Sequence, residues 1–191
     1  MRNIHFSLSR NDLNKPGKTT FAALFALVVS ARALLITVIP LQAHEMLGDA
    51  QKVSMLYFCV SIIGLCGAMT VPALVATLRR RWVFSAGAVA AIVASVFFAM
   101  QTLEGLVIGM VFQVFSITAL EITLNLHLME YIPRKEMGKF EPMRVFSAAG
   151  VWAVGSWLGI FLKTYFGEYA PFIGTSVTAT AILSAFFVFT F

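Results

Sequence analysis

Charge is scarce in this chain of 191 residues: Asp, Glu, Lys and Arg together make up 12% of it, about half of what a soluble domain carries. With 59% of residues hydrophobic and a mean hydropathy of +0.86, that scarcity excludes a soluble domain with a polar surface. Cysteine is nearly absent. Cys59 and Cys66 lie seven residues apart inside one apolar run, without the C-x-x-C spacing of a redox pair, and are expected to be buried, inert thiols. Three histidines give little to build a catalytic or metal site. His44-Glu45 begins like the zinc-protease H-E-x-x-H, but Gly48 stands where the second ligand belongs. No histidine follows His127 to activate a serine such as Ser156, and no phosphate-binding or dinucleotide glycine motif occurs. The expectation is a protein that is not an enzyme and takes no cofactor or metal. No basic residue is interleaved with exposed aromatics in a foldable soluble module, so nucleic acid is not an expected partner.

What the chain has is apolar length. Six stretches, at about 21–43, 53–78, 82–100, 105–128, 145–162 and 172–191, each approach or exceed the ~20 residues a spanning helix needs. The joints are short, which predicts one all-α, up-and-down bundle of six transmembrane helices in a single domain over 1–191. Arg2, Arg10, Lys15 and Lys18 lie in an N-terminal tail over 1–18. Arg79, Arg80 and Arg81 follow the second stretch, while Arg134, Lys135, Lys139 and Arg144 follow the fourth. The other connections hold only Lys52 and Lys163. Basic residues concentrate in cytoplasmic connections, which puts both termini in the cytoplasm. The tail is too long for a signal-peptide n-region and the run after it too long for an h-region, so the first helix is expected to be retained.

Ionisable residues within hydrocarbon are costly, by about 2.5–3.5 kcal/mol at the centre, and functional by default. Arg32 and Glu121 meet that description. At 1.5 Å per residue Arg32 lies ~20 Å and Glu121 about 10–13 Å from the inner face, within combined side-chain reach for a direct or water-bridged pair. That pair is either a static packing bridge or part of a substrate or gating site. Thr118 and Asn125 share the Glu121 face at i−3 and i+4, and Gln113 lies further up, making a polar stripe on the fourth helix. His127, at the inner boundary, is expected to be solvated, with a proton relay as the sharper alternative.

Pro40 and Pro72 predict kinks in the first two helices. Pro133, Gly138 and Pro142 predict that the fourth helix ends and the fifth is delayed to about 145, with a short interfacial helix over 134–140. Gly155 and Gly159 form a GxxxG pair in GVWAVGSWLG (150–159), which lets helix backbones approach closely. Packing inside the bundle is the first reading, a seam against another six-helix unit the second.

The run PALVATLRRRWVF (72–84) resembles the cytoplasmic signature of the major facilitator superfamily, G-x-L-A-D-R-x-G-R-R-x-x-L. Leu74 falls on its leucine, Arg80 and Arg81 on its basic pair and Phe84 on the closing apolar position. Pro72, Ala76, Thr77 and Arg79 depart from its glycine, aspartate, first basic residue and second glycine. The family's aspartate joins a charge network that locks one conformation, and Ala76 has no counterpart to it. EYIPRKEMGKF (130–140) resembles the family's connection between helices 4 and 5. Gly155 and Gly159 match two glycines of the antiporter-type G-P-x-x-G-G element, but Ser156 and Ile160 replace its proline and last glycine.

The resemblance covers the whole chain and implies the N-terminal six-helix half of a secondary-active transporter working by alternating access. It implies that helices 1 and 4 line the central cavity, 2 and 5 meet the other half, and 3 and 6 are peripheral. Family members usually have twelve helices, so the expected partners are a C-terminal six-helix half or a second copy, together with the lipid bilayer and a small-molecule solute. Arg32 is expected to engage an anionic solute group or Glu121, and Glu121 to carry a coupling proton. Arg79, Arg80, Arg81 and Arg144 are expected to act in the cytoplasmic loops, with the triple arginine near anionic lipid. The expected location is a bacterial inner (plasma) membrane. A six-helix assembly or interaction protein without transport is the competing class.

Overall fold

The computed structural model describes residues 18–131 and 134–190. Arg2, Arg10 and Lys15 of the tail and Pro133 lie outside the described residues. Seven helices follow in order: α1 Lys18–Ala33, α2 Val38–Leu47, α3 Ala50–Thr77, α4 Arg80–Ala99, α5 Leu103–Tyr131, α6 Arg134–Phe166 and α7 Ala170–Thr190. No strand occurs among the described residues. Helices satisfy every backbone group within their own segment, which is what hydrocarbon requires. With α1 and α2 counted as one broken span, six segments are long and apolar enough to cross a membrane.

The first span breaks between Ala33 and Val38. Pro40 has no N–H, so the Ile36 carbonyl lacks its i+4 donor. Through the turn the Leu35 N–H reaches the Arg32 carbonyl at 3.1 Å, and the Ile39 N–H restarts the α ladder on Leu35 at 3.0 Å. At the end of α2 Gly48 takes φ 64°, the left-handed conformation that closes the helix, and its N–H donates to the His44 carbonyl. Asp49 then caps α3, accepting the Gln51 N–H at 2.9 Å.

The fifth span departs from its sequence pattern. Instead of a short helix over 134–140 and a late start near 145, α6 runs unbroken through Pro142. The reason lies in what precedes the proline. Phe140 is 1% exposed and sits in the core with Leu128, Leu124 and Phe186, so burial holds the first turns of α6 on the bundle although Pro142 forfeits a backbone hydrogen bond.

Three apolar clusters make the core. The first joins Val28 and Ala31 of α1, Phe84 and Ala88 of α4, Leu120 and Leu124 of α5, and Ile182 and Phe186 of α7. Phe84 and Phe186 stack with ring centroids 4.0 Å apart. A small one joins Val71, Val83 and Ala119. The third joins Leu35, Val38, Val60, Phe98, Met110 and Phe172. Arg32 falls between the first and the third.

Cover is uneven. Half of the hydrophobic window of α4 is buried, against 17% for α3 and 11% for α6. The third span, expected to be peripheral, is well packed against its neighbours. Gly87, Ala88, Ala91, Ala94 and Ser95 give α4 a small-residue face buried on α5 and α7, while Trp82, Ala86, Val89 and Val96 look outward. Cys59 and Cys66 are exposed free thiols rather than buried ones. They belong to the uncovered side of α3, with Met55, Phe58, Ile62 and Met69. An apolar run long enough to span need not be buried in protein, because in a bilayer lipid or a partner covers its outer side.

Candidate functional site

Arg32 occupies the last turn of α1, immediately before the break. Its Nη1 donates to Glu121 Oε1 of α5 at 3.3 Å, the long end of the hydrogen-bond range. Both side chains remain about two-fifths exposed, 41% and 42%. α1 and α5 touch only lightly along their length, and the space between them is where the pair sits. The guanidinium carbon lies 5.2 Å from the ring centroid of Trp152 on α6, a cation–π contact. A ring under the guanidinium face leaves its in-plane N–H groups free to recognise a planar anion.

Two cavities meet at this arginine. The one deeper along α1, about 120 Å³, is lined by Phe25, Val28, Ala94, Ser116, Glu121 and Trp152 among others. The other, on the α2 side of the break and about 320 Å³, is lined by Ile36, Pro40, Tyr57, Ser61, Met110 and Val114 among others. Arg32, Leu35, Gln113 and Ile117 line both. A water needs roughly 10–15 Å³ of such space, so each cavity holds several waters or a small solute. Gln113 contributes a buried Oε1 with no hydrogen-bond partner.

The polar stripe predicted on the fourth span divides in three. Gln113 and Glu121 line the cavities, with Ile117 between them. Thr118 lines neither, and its hydroxyl donates to the Val114 carbonyl at 2.9 Å. Asn125 belongs to a second node, where its Oδ1 accepts from Arg144 Nη1 at 2.8 Å.

Arg144 is not a loop residue. It lies within α6, pairs with Glu141 through Nη2, and rests over the Phe25 ring at 4.7 Å, which ties α1, α5 and α6 together. Of the arginines between α3 and α4, Arg80 pairs with Glu130 at 2.6 Å and joins that connection to the end of α5. Arg81 is the second residue of α4 and Arg79 is exposed just before the helix. His127 is packed rather than solvated. Its Nδ1 contacts the Thr123 carbonyl at 2.8 Å and its ring meets Phe186 edge-on.

Gly155 and Gly159 bring α6 onto the break in the first span. A Cβ on Gly155 would sit 2.5 Å from Ala33 Cβ, and one on Gly159 2.1 Å from the Leu34 carbonyl oxygen. Thr37 in the break donates its hydroxyl to the Ser156 carbonyl at 3.1 Å. The GxxxG seam is thus internal, and it sets Trp152, one turn away, against Arg32. Trp152, Ser116 and the Thr37–Ser156 bond are site features without a sequence signal of their own. A tryptophan in a span is ordinary, and only the arginine beside it gives it meaning. At the other end of the bundle Lys163 Nζ joins both Glu45 carboxylate oxygens at 2.7 Å.

No group of three or more His, Cys, Asp or Glu side chains able to hold a metal occurs among the described residues. Comparison with protein-family models, with curated proteins and with solved structures finds no match.

Proposed function

We propose that this chain is the N-terminal six-helix half of a secondary-active transporter of the major facilitator type, moving a small solute by alternating access across a bacterial inner membrane, with both termini cytoplasmic. The observation that carries this reading is the Arg32–Glu121 pair, half exposed, bonded once at 3.3 Å and bordered by cavities between α1 and α5. A pair that served packing alone would gain from closer contact and dry walls. Here each partner keeps unused hydrogen-bonding capacity facing empty space. Charged groups inside a membrane that line such space mark solute or ion pathways, and Glu121 is the group to carry a coupling proton.

The break beside Arg32 agrees with this reading, since interrupted helices with freed carbonyls frame the sites of many secondary transporters. The uncovered apolar sides of α3 and α6 suit contact with a second six-helix unit about an axis along the membrane normal. That unit is a C-terminal half, or a second copy of this chain as the alternative. Cross-linking through the exposed Cys59 and Cys66 in native membranes separates the two. A self-linked dimer supports the second copy, and a strictly monomeric species opposes it.

The direct test is solute movement in proteoliposomes. Wild-type protein should carry a solute that Arg32→Ala and Glu121→Gln carry at least about tenfold more slowly, with all three folded. Equal movement by the three would remove these residues from the site.

A further inference from the structure

We infer that the solute is a small zwitterion with an apolar body, carrying its carboxylate and its ammonium on one carbon as an α-amino acid does. This rests on the transporter reading and names the class of solute that the same site takes. The argument is one of charge and of atoms left over. Arg32 and Glu121 are opposite charges 3.3 Å apart, so the empty site is neutral. A lone anion drawn to Arg32 would displace Glu121 and leave a carboxylate unpaired. A lone cation drawn to Glu121 would strand the guanidinium. Either outcome leaves an unpaired charge within a membrane span, which is unfavourable even where water reaches it. A zwitterion inserted between the two re-pairs both, and no step leaves a charge alone.

Distances agree. The two protein groups are adjacent, so a solute that bridges them must present its own opposite charges close together. The in-plane N–H groups of Arg32, with Trp152 stacked at 5.2 Å, suit a carboxylate. Glu121 supplies the carboxylate that accepts from an ammonium, with the Gln113 side chain lining the same cavity. The rest of the solute meets hydrocarbon in either direction: Leu35, Ile39, Val60 and Met110 in the larger cavity, Phe25, Val28 and Leu120 in the smaller. Because Arg32 and Gln113 line both cavities, the charged head can stay in place while the apolar body exchanges one cavity for the other. A sugar or an inorganic ion uses neither the apolar walls nor both charges.

A matched set of solutes tests this. Leucine carries both charges, 4-methylpentanoate only the carboxylate and 3-methylbutylamine only the ammonium, on similar branched bodies. Binding is read as thermal stabilisation of the purified full chain in nanodiscs. Leucine should bind at least about tenfold more tightly than either single-charge analogue. Glu121→Gln, which leaves the site with a positive charge, should invert the order in favour of 4-methylpentanoate, and Arg32→Gln in favour of 3-methylbutylamine. Equal binding of the three by wild-type protein, or binding of none, overturns the inference, and the wild-type ranking decides even if a variant fails to fold. Leucine that binds with these inversions but is not carried into vesicles leaves the site chemistry standing and removes the transporter. Transport of a different solute without leucine binding does the reverse.

Discussion

Arg32 and Arg144 reach toward the same face of α5, one helical turn apart at Glu121 and Asn125, and each lies against an aromatic ring. Arg144 is drawn into the packing: its Nη1 donates to Asn125 at 2.8 Å, its Nη2 to Glu141, and the Phe25 ring lies at 4.7 Å, with its side chain 21% exposed and its Nε buried without a partner. Arg32 has a single 3.3 Å partner and is 41% exposed. One arginine contacts three helices, and the other is bonded once and lines two cavities. The difference separates a charge that fixes the packing of α1, α5 and α6 from one that can be exchanged without unfolding them.

The severest way to break that distinction is to move α6 away from the break in the first span. Gly159→Ala drives a methyl into the Leu34 carbonyl and should cost about 3 kcal/mol, at the upper end for overpacking. Trp152 and Arg144 ride on the same helix, so both nodes should be disturbed together. Denaturation in detergent reads the loss, and a stability equal to wild type would mean the close approach is not maintained. Next is Arg144→Leu, which strands Glu141 and unsatisfies Asn125. Glu141 is 45% exposed and water will screen part of the damage, so about 2 kcal/mol is expected rather than the 3–5 of a fully buried pair. Arg32→Leu combined with Glu121→Leu sharpens the contrast from the other side. Removing both charges should change stability by less than about 1 kcal/mol, of either sign, while abolishing solute movement. A loss as large as that of Arg144→Leu would make the Arg32 pair structural. The smallest effect belongs to Lys163→Gln at the far end. Glu45 is 51% exposed, and such pairs contribute about 0–1 kcal/mol, with little salt dependence left afterwards.

The six spans and the Arg32–Glu121 pair were legible in the sequence for one reason: hydrocarbon tolerates so few charges that each one stands out. Gly155 and Gly159 were legible for a related one, since close backbone approach in lipid favours small residues at this spacing. Other features were not, because a residue type does not fix its partner. Pro40 announced a distortion, but the break lies N-terminal to it, over the residues whose carbonyl loses a donor. Pro142 and Gly138 read as breakers, yet burial of Phe140 outweighs one missing hydrogen bond. Thr118 had the spacing of a site residue, but a threonine in a helix can satisfy itself on the preceding turn. Asn125 and Arg144, assigned to a solute stripe and a loop, turn out to need each other. Cysteine type alone predicts buried thiols at Cys59 and Cys66, but that rule is drawn from proteins whose outside is water.

The central claim is that the ion pair between α1 and α5 borders a space that water enters. Cysteines placed singly at Glu121, Gln113 and the fully buried Ala179 of α7, in a chain with Cys59→Ala and Cys66→Ala, can be exposed in membrane vesicles to a membrane-impermeant thiol reagent. Rapid labelling at 121 and 113 with none at 179 is the predicted result. A cysteine at 121 as unreactive as the one at 179 would contradict the account.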